Sequence, residues 1–443
     1  MTRILCIIPP YIPSYFNAGH HLPIFSVANY LRKDTAFEVK ALDCAALNST
    51  WKDICDVLIE GFDFIVVMND FDAIDTFKRF VSYCKELNPT AKLITFGRLS
   101  HQIPLFFTRF EFDCIVNSGD YEAGVKSSID YLNRHTTERT GFFVKEEDNY
   151  LEPQSKGHYL NPSEWAFPDI EEIPYAAYDK MYLNDLNKFC GIPERRELVI
   201  PIARGCPVNC SFCDVPRMQG KQERRVSVKR VIEYIRSSFN RHPMEYYSFY
   251  CPTFTLDRNW VLDFCKSVIE QELIYPWKCV TVAGTLTRDL VKIMSQAGCI
   301  RISMGIETLD ENASNGLPKV KQKGETHLEL VIQWCEEFDI EVNCFIILGL
   351  PGDSIEGVRY TVQKILRFNG RVRPTIYTPY HLLREDMTVD EVNNFNRQFF
   401  VREDKETISE TDKLLYYNLF YNNQDDFETQ VMNQIPLRTG ELA

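Results

Sequence analysis

Two long stretches of this 443-residue chain repeat one pattern: a short unbroken apolar run, a polar break, then apolar residues at helical spacing. A strand with one wet face alternates, whereas a strand covered on both faces does not, so such runs between helices predict parallel sheets flanked by helices. In residues 1–135 the strand runs are ILCIIPP, FEVKALD, FDFIVVMND, AKLITFG and EFDCIVNSG. HLPIFSVANYLRK, STWKDICDVLIEG, AIDTFKRFVSYCKELNP and YEAGVKSSIDYLNRH lie between and after them as helices. This is the rhythm of a doubly wound, Rossmann-like α/β domain, with its ligand site at the carboxyl ends of the strands.

Residues 136–195 are rich in proline and aromatics, with little periodicity, and read as a linker. From residue 196 the rhythm returns. LVIPIARG, EYYSFYC, KCVTVAG, IRISMGIE, VNCFIILG and PTIYTPY are candidate strands, separated by helices such as VSVKRVIEYIRSSFN and THLELVIQWCEEF. Six βα units over 196–387 predict a partial (β/α)6 TIM-like barrel, with chemistry at the carboxyl ends of its strands. The polar, aromatic-rich tail 388–443 is expected to form a helical C-terminal cap over the barrel.

Lys and Arg number 49 against 62 Asp and Glu, a net charge of −13, which argues against a nucleic-acid surface. No apolar run approaches the roughly 20 residues that span a bilayer, and Pro9 and Pro10 interrupt the first apolar stretch too early for a signal peptide. A cytoplasmic enzyme with no membrane partner is the expectation. The acidic excess would favour a cationic substrate through the overall field, although solubility alone explains many acidic proteins.

Fifteen cysteines are spread along the chain. Cys6, Cys55, Cys84, Cys265 and Cys335 sit in apolar contexts, as small core residues do. Cys206, Cys210 and Cys213 differ: RGCPVNCSFCDVPR follows the first barrel strand, and its C-x3-C-x2-C spacing lets one loop reach three irons of a cubane cluster. Three ligands leave one iron open for another molecule. Structural zinc normally takes four ligands in paired groups, and no second pair lies nearby.

This loop, with Phe212 before the last cysteine, resembles the radical S-adenosylmethionine (SAM) superfamily. The resemblance covers about residues 195–385 and implies a [4Fe–4S] cluster whose open iron chelates SAM, giving a 5′-deoxyadenosyl radical. It is supported by SMGIET, with Ser303, Gly305, Glu307 and Thr308, similar to that family's fourth-strand GIE segment, which helps place SAM. FIILGLPGD, with Ile347, Gly349, Leu350 and Pro351, is similar to the fifth-strand segment that packs the adenine. RRVSVKRVIEYI, opening at Arg225 and Ser227, matches the segment that follows the cluster loop. The second strand departs from the pattern: YYSFYCPTFTLD offers Tyr250 and Cys251 where small or acidic residues usually hold the methionyl amine.

The first domain resembles the cobalamin-binding domains of one subgroup through IIPPY, LITFGRLSH and SGDYEAG, within residues 4–126. It then departs. There is no D-x-H-x-x-G, MNDFDAID carries Asp70, Asp72 and Asp75 where a phosphate-bearing tail would pass, and Arg98 replaces a glycine. The expectation is a domain that keeps the fold without cobalamin.

YFNAGHHLP and PTIYTPYHLL look similar to a narrower group, the radical SAM diol dehydratases of apramycin biosynthesis. That resemblance implies dehydration of a diol on an aminoglycoside-like, cationic aminosugar, with a general acid and base over the substrate. Tyr377, Tyr380 and His381 after the sixth strand are the candidates, with Tyr15, His20 and His21 reaching over from the first domain. Two rivals use the same barrel. A cobalamin-dependent methyltransferase would pass a methyl group to the substrate radical, and a radical epimerase would need Cys251 as hydrogen donor. A non-enzymatic iron–sulfur sensor would have no use for the GIE and GLPG segments. The implied partners are a small-molecule substrate, an electron donor of flavodoxin or ferredoxin type, and a reductase that completes the product.

Overall fold

The computed structural model describes residues 1–10, 21–71, 74–178 and 196–395. In the first domain β1 (Thr2–Ile8), β2 (Phe37–Asp43), β3 (Phe64–Asn69), β4 (Lys92–Gly97) and β5 (Cys114–Val116) pair in parallel in the order β2-β1-β3-β4-β5. Alternate residues of one strand enter opposite cores: Ile4, Cys6 and Ile8 face one, Leu5 and Ile7 the other. Both faces are covered, which is why the strands read as continuous apolar runs. Helices Leu22–Leu31 and Tyr121–Leu132 bury Phe25, Val27, Val125 and Ile129 on one side. Helices Trp51–Ile59 and Ile74–Leu87 bury Ile54, Leu58, Phe77 and Phe80 on the other. The helix Trp51–Ile59 starts at Thr50 because its hydroxyl accepts from Asp53 N–H while the Asp53 carboxylate accepts from Thr50 N–H.

The stretch expected as a linker differs in one part. β6 (Phe142–Glu146) and β7 (Asn149–Leu151) form an antiparallel hairpin that extends the first sheet to seven strands. Phe142 and Val144 enter the core there, so the first sheet continues past residue 135.

The second sheet joins β8 (Glu197–Pro201), β11 (Tyr246–Tyr250), β12 (Trp277–Thr281), β13 (Cys299–Glu307), β14 (Glu341–Leu348) and β15 (Arg371–Ile376), all parallel and in that spatial order. Between β8 and β11 in the chain, β9 (Ala203–Arg204) and β10 (Arg224–Arg225) pair antiparallel at the two ends of the cysteine loop. The helices between these strands are amphipathic; Val228–Arg241, for example, buries Val231, Ile232 and Ile235 and turns its charges outward. This is the expected six-stranded partial barrel. Its last strand ends at Ile376, so Tyr377, Tyr380 and His381 lie in the following loop. β15 is an edge strand, which explains how it tolerates Pro374.

The described start of the tail packs on the first domain. A short helix, Val389–Asn393, sends Val392 into the first domain's core, and Phe395 stacks on Phe71 at 6.1 Å between ring centroids. Apolar burial was available on that domain, and the chain takes it. The rest of the expected cap, 396–443, lies outside the described residues. Among the described residues no helix is long and apolar enough to cross a membrane.

Candidate cofactor and substrate site

The cysteine loop is shaped by its backbone. Gly205 has φ +81°, and a Cβ there would lie 2.1 Å from the Gln222 carbonyl oxygen. Cys206 N–H donates to Gly220 O at 3.1 Å, and Cys213 N–H donates to Cys210 O at 3.1 Å. Cys206 is buried, and Cys210 and Cys213 are half-buried. The three sulfurs and Lys321 feel one another electrostatically; burial pushes the Cys210 thiol up to about 12, and the Lys321 charge opposes it. Metal binding reverses that preference, because the thiolate is the ligand. Among the described residues no His, Cys, Asp and Glu group converges on one point as a single ion requires. A cubane's ligands each meet a different iron and need not converge, so three thiols on one closed loop fit a cluster.

The GIE segment forms a bulge. Gly305 pairs with Phe345 but Glu307 pairs with Ile346, leaving Ile306 as an extra residue, and Glu307 adopts φ +65°. Bulges re-aim side chains next to active sites. Glu307 is 5% exposed and forms an ion pair with Lys321, whose side chain is 9% exposed. A Cβ on Gly305 would lie 2.6 Å from both Glu307 Oε1 and Lys321 Nζ, so any larger residue there displaces the ends of both side chains. Burial penalises the Lys321 ammonium, yet the Glu307 charge and hydrogen bond hold it above its ordinary range. Sequence reasoning missed Lys321. Its ammonium lies 5.6 Å from the Phe212 ring centroid.

Phe212 and Tyr377 pack on Ala313, Ile347 and Leu350 in a small apolar cluster of their own. Residues from the cysteine loop, the fifth strand and the sixth-strand loop thus meet at one wall. Gly349 turns the chain with φ +79°, and Pro351 is exposed. Ser303 is buried within β13, where Asn343 Nδ2 approaches its hydroxyl at 3.4 Å. Tyr250, at the end of β11, keeps 57% of its surface exposed, whereas Cys251 packs against the core and burial pushes its thiol up to about 12.

The remaining candidates separate. His21 lies beside the buried Asp43 carboxylate, Nδ1 to Oδ2 at 2.7 Å, and the Tyr178 hydroxyl donates to the same oxygen at 2.6 Å. That contact ties down the end of β2. Tyr380 packs on the first domain's core and its hydroxyl accepts from Arg98, while His381 is exposed. Tyr15, His20 and Asp72 lie outside the described residues.

Beyond the carboxyl ends of β3 and β4, Asp70, Phe71 and Arg98 face Asp214, Tyr250 and Tyr380 of the barrel. Arg98 Nε donates to Asp214 Oδ2 at 2.6 Å, and its guanidinium lies 5.0 Å from the Tyr380 ring centroid and 5.7 Å from that of Phe71. The two domains are also joined by Arg204 with Glu122 at 2.6 and 2.8 Å, and by Arg224 with Asp120 at 2.7 and 2.8 Å. At the position where the cobalamin-binding resemblance has glycine, this chain places a charged guanidinium held by Asp214, Tyr380 and Phe71. The His101 ring is 6% exposed and turned against Tyr121 at 5.0 Å.

Residues 200–365 match the Radical SAM superfamily. Over 392 residues the chain is 25% identical to an uncharacterized methyltransferase of Pyrococcus horikoshii, a match covering 86% of this chain and 81% of that protein. It is 26% identical over 246 residues to an anaerobic magnesium-protoporphyrin IX monomethyl ester cyclase of Rubrivivax gelatinosus, covering 53% of this chain and 43% of the cyclase. The fold is similar to the radical SAM methyltransferase TsrM of Kitasatospora setae, with TM-score 0.66 and 15% identity over 86% of this chain and 75% of that one. It is also similar to the cobalamin-dependent SAM radical enzyme OxsB, with TM-score 0.67 and 15% identity over 92% of this chain and 56% of OxsB.

Proposed function

We propose, from the premise that residues 200–365 are a radical SAM domain, that this chain is an enzyme taking a hydrogen atom from a polar small molecule held between its first domain and its barrel. The observation that carries this reading is convergence: the cysteine loop, the Glu307 bulge and the Phe212 cluster meet at one end of six parallel strands. When bound, a [4Fe–4S] cluster on Cys206, Cys210 and Cys213 together with SAM supplies the 5′-deoxyadenosyl radical that accepts the hydrogen atom. Glu307 and Lys321, a buried anion and cation, suit the two charged ends of an amino acid. Phe212, Ile347 and Leu350 offer an apolar wall to an adenine ring. Tyr250 and Tyr377 present hydroxyls where a substrate would lie, and the first domain closes the mouth against water. An electron donor of flavodoxin or ferredoxin type completes the system.

The names of the curated relatives favour methyl transfer over dehydration as the reaction that follows. A second reading, dehydration of a diol without cobalamin, is favoured by one observation: Arg98, Asp214 and Tyr380 fill the gap with a charged network. Epimerisation through Cys251 would use a thiol that burial keeps protonated. Anaerobic reconstitution with iron, sulfide and excess cobalamin, then desalting, separates these readings. About four irons per chain with one retained corrin supports methyl transfer. The same iron without corrin supports the cobalamin-free reading, and a chain that retains no iron overturns both.

A further inference from the structure

Besides the ion pairs at the two ends of the cysteine loop, the first domain meets the turn after Cys213 through a short helix, Arg98–Gln102. Its start is fixed by β3: Asn69 Oδ1 accepts from Leu99 N–H at 3.1 Å and Ser100 N–H at 3.0 Å. A Cβ on Gly97 would lie 2.0 Å from the Asn69 carbonyl oxygen, so this corner is closely packed. The Arg98 side chain therefore leaves from a firm base. It meets Asp214, the residue after Cys213, at 2.6 Å, and Asp214 is 10% exposed at its side chain. From the other end of the helix the Gln102 carbonyl accepts from Arg217 Nη2 at 2.9 Å. Asp214 and Arg217 both belong to the turn that leaves the cysteine loop, whose helix Val215–Gln219 follows directly. The first domain thus grips that turn at two points, one of them an ion pair whose anion acts electrostatically on the Cys213 thiol.

We propose that Arg98 is a positioning residue that poises the cluster: by holding and neutralising Asp214, it sets the reduction potential of the iron–sulfur centre from outside the barrel. This rests on the assignment of a cluster to Cys206, Cys210 and Cys213. Net charge and solvent exposure are among the levers that set such potentials. An unpaired carboxylate beside Cys213 disfavours the electron-rich state, and an unpaired guanidinium favours it. The fold gives the first domain this role whether or not that domain binds anything else.

The sign of the effect separates poise from simple support. In reconstituted full-length protein, the midpoint potential is read by redox titration of the reduced cluster's electron paramagnetic resonance signal. Arg98→Met leaves the Asp214 charge uncompensated and lowers the potential; Asp214→Asn removes that charge, leaves Arg98 with its Tyr380 and Phe71 contacts only, and raises it. The double variant returns close to the wild type. Arg98→Lys, which keeps the charge and loses the fork, stays near the wild-type value even if its cluster is less well held. Shifts in the same direction for both single variants, or no shift in either, overturn the proposal and leave Arg98 a structural tie. A wild-type chain that binds no cluster overturns the radical SAM reading instead, and is recognised by its iron content before any variant is titrated.

Discussion

Replacing Lys321 with methionine is the perturbation whose size the structure fixes best. Lys321 and Glu307 form an ion pair with side chains 9% and 6% exposed. Removing one member of a buried pair leaves an uncompensated charge, which costs about 3–5 kcal/mol. Exposed pairs are worth only about 0–1 kcal/mol, so the two cases are separable. Lys321→Met should lower the stability of the barrel by the larger amount, read by urea denaturation with the fluorescence of Trp260, Trp277 and Trp334. Glu307→Gln, which strands the ammonium, should cost a similar amount. The double variant removes both charges and should recover most of the loss, because replacing a whole buried pair by neutral groups is often harmless. It should nonetheless bind SAM weakly, since both charged contacts are gone. Single variants that each cost under about 1 kcal/mol, or a double variant that costs their sum, would refute this account of the pair.

Gly305→Ala forces a methyl group against Glu307 and Lys321 at 2.6 Å, and calorimetric titration should show much weaker SAM binding with the iron content unchanged. Burial, reinforced by Asp310, raises the Asp353 carboxyl from 3.8 to about 7, so the folded state keeps a proton that the unfolded chain has lost. Stability from this group therefore falls as pH rises between about 4 and 7, and Asp353→Asn should raise the melting temperature at pH 8 but not at pH 4. Arg224→Met removes one of the two guanidiniums at the Asp120 carboxylate, 2% exposed at its side chain, and leaves Arg204 at 3.5 Å and Leu160 N–H in place, so in the same urea assay it should cost less than the about 3–5 kcal/mol of a buried charge left alone.

What the sequence made legible follows from local physics. Unbroken apolar runs between amphipathic helices marked both sheets, because covered strands have no polar face to display. The cysteine loop was legible from spacing alone. The hairpin Phe142–Leu151 was not: its strands are too short for alternation to stand out from a proline-rich stretch. Lys321 stands among several lysines in a polar loop, and only the fold places its ammonium at the Glu307 bulge. Arg98 and Asp214 are 116 positions apart, so their pairing had no local signature, although the arginine at an expected glycine already marked the site as unusual. The partner of His21 had no local signature either: its ring lies beside Asp43, 22 positions away, and the Tyr178 hydroxyl shares that carboxylate. The Tyr380 hydroxyl accepts from Arg98, 282 positions away, again without a local signature.

The most direct measurement is electron paramagnetic resonance of the reduced, reconstituted chain with and without SAM. The account predicts a [4Fe–4S] signal that changes shape when SAM is added, is lost in Cys213→Ala, and needs more SAM to change in Glu307→Gln. A cluster signal indifferent to SAM would contradict it.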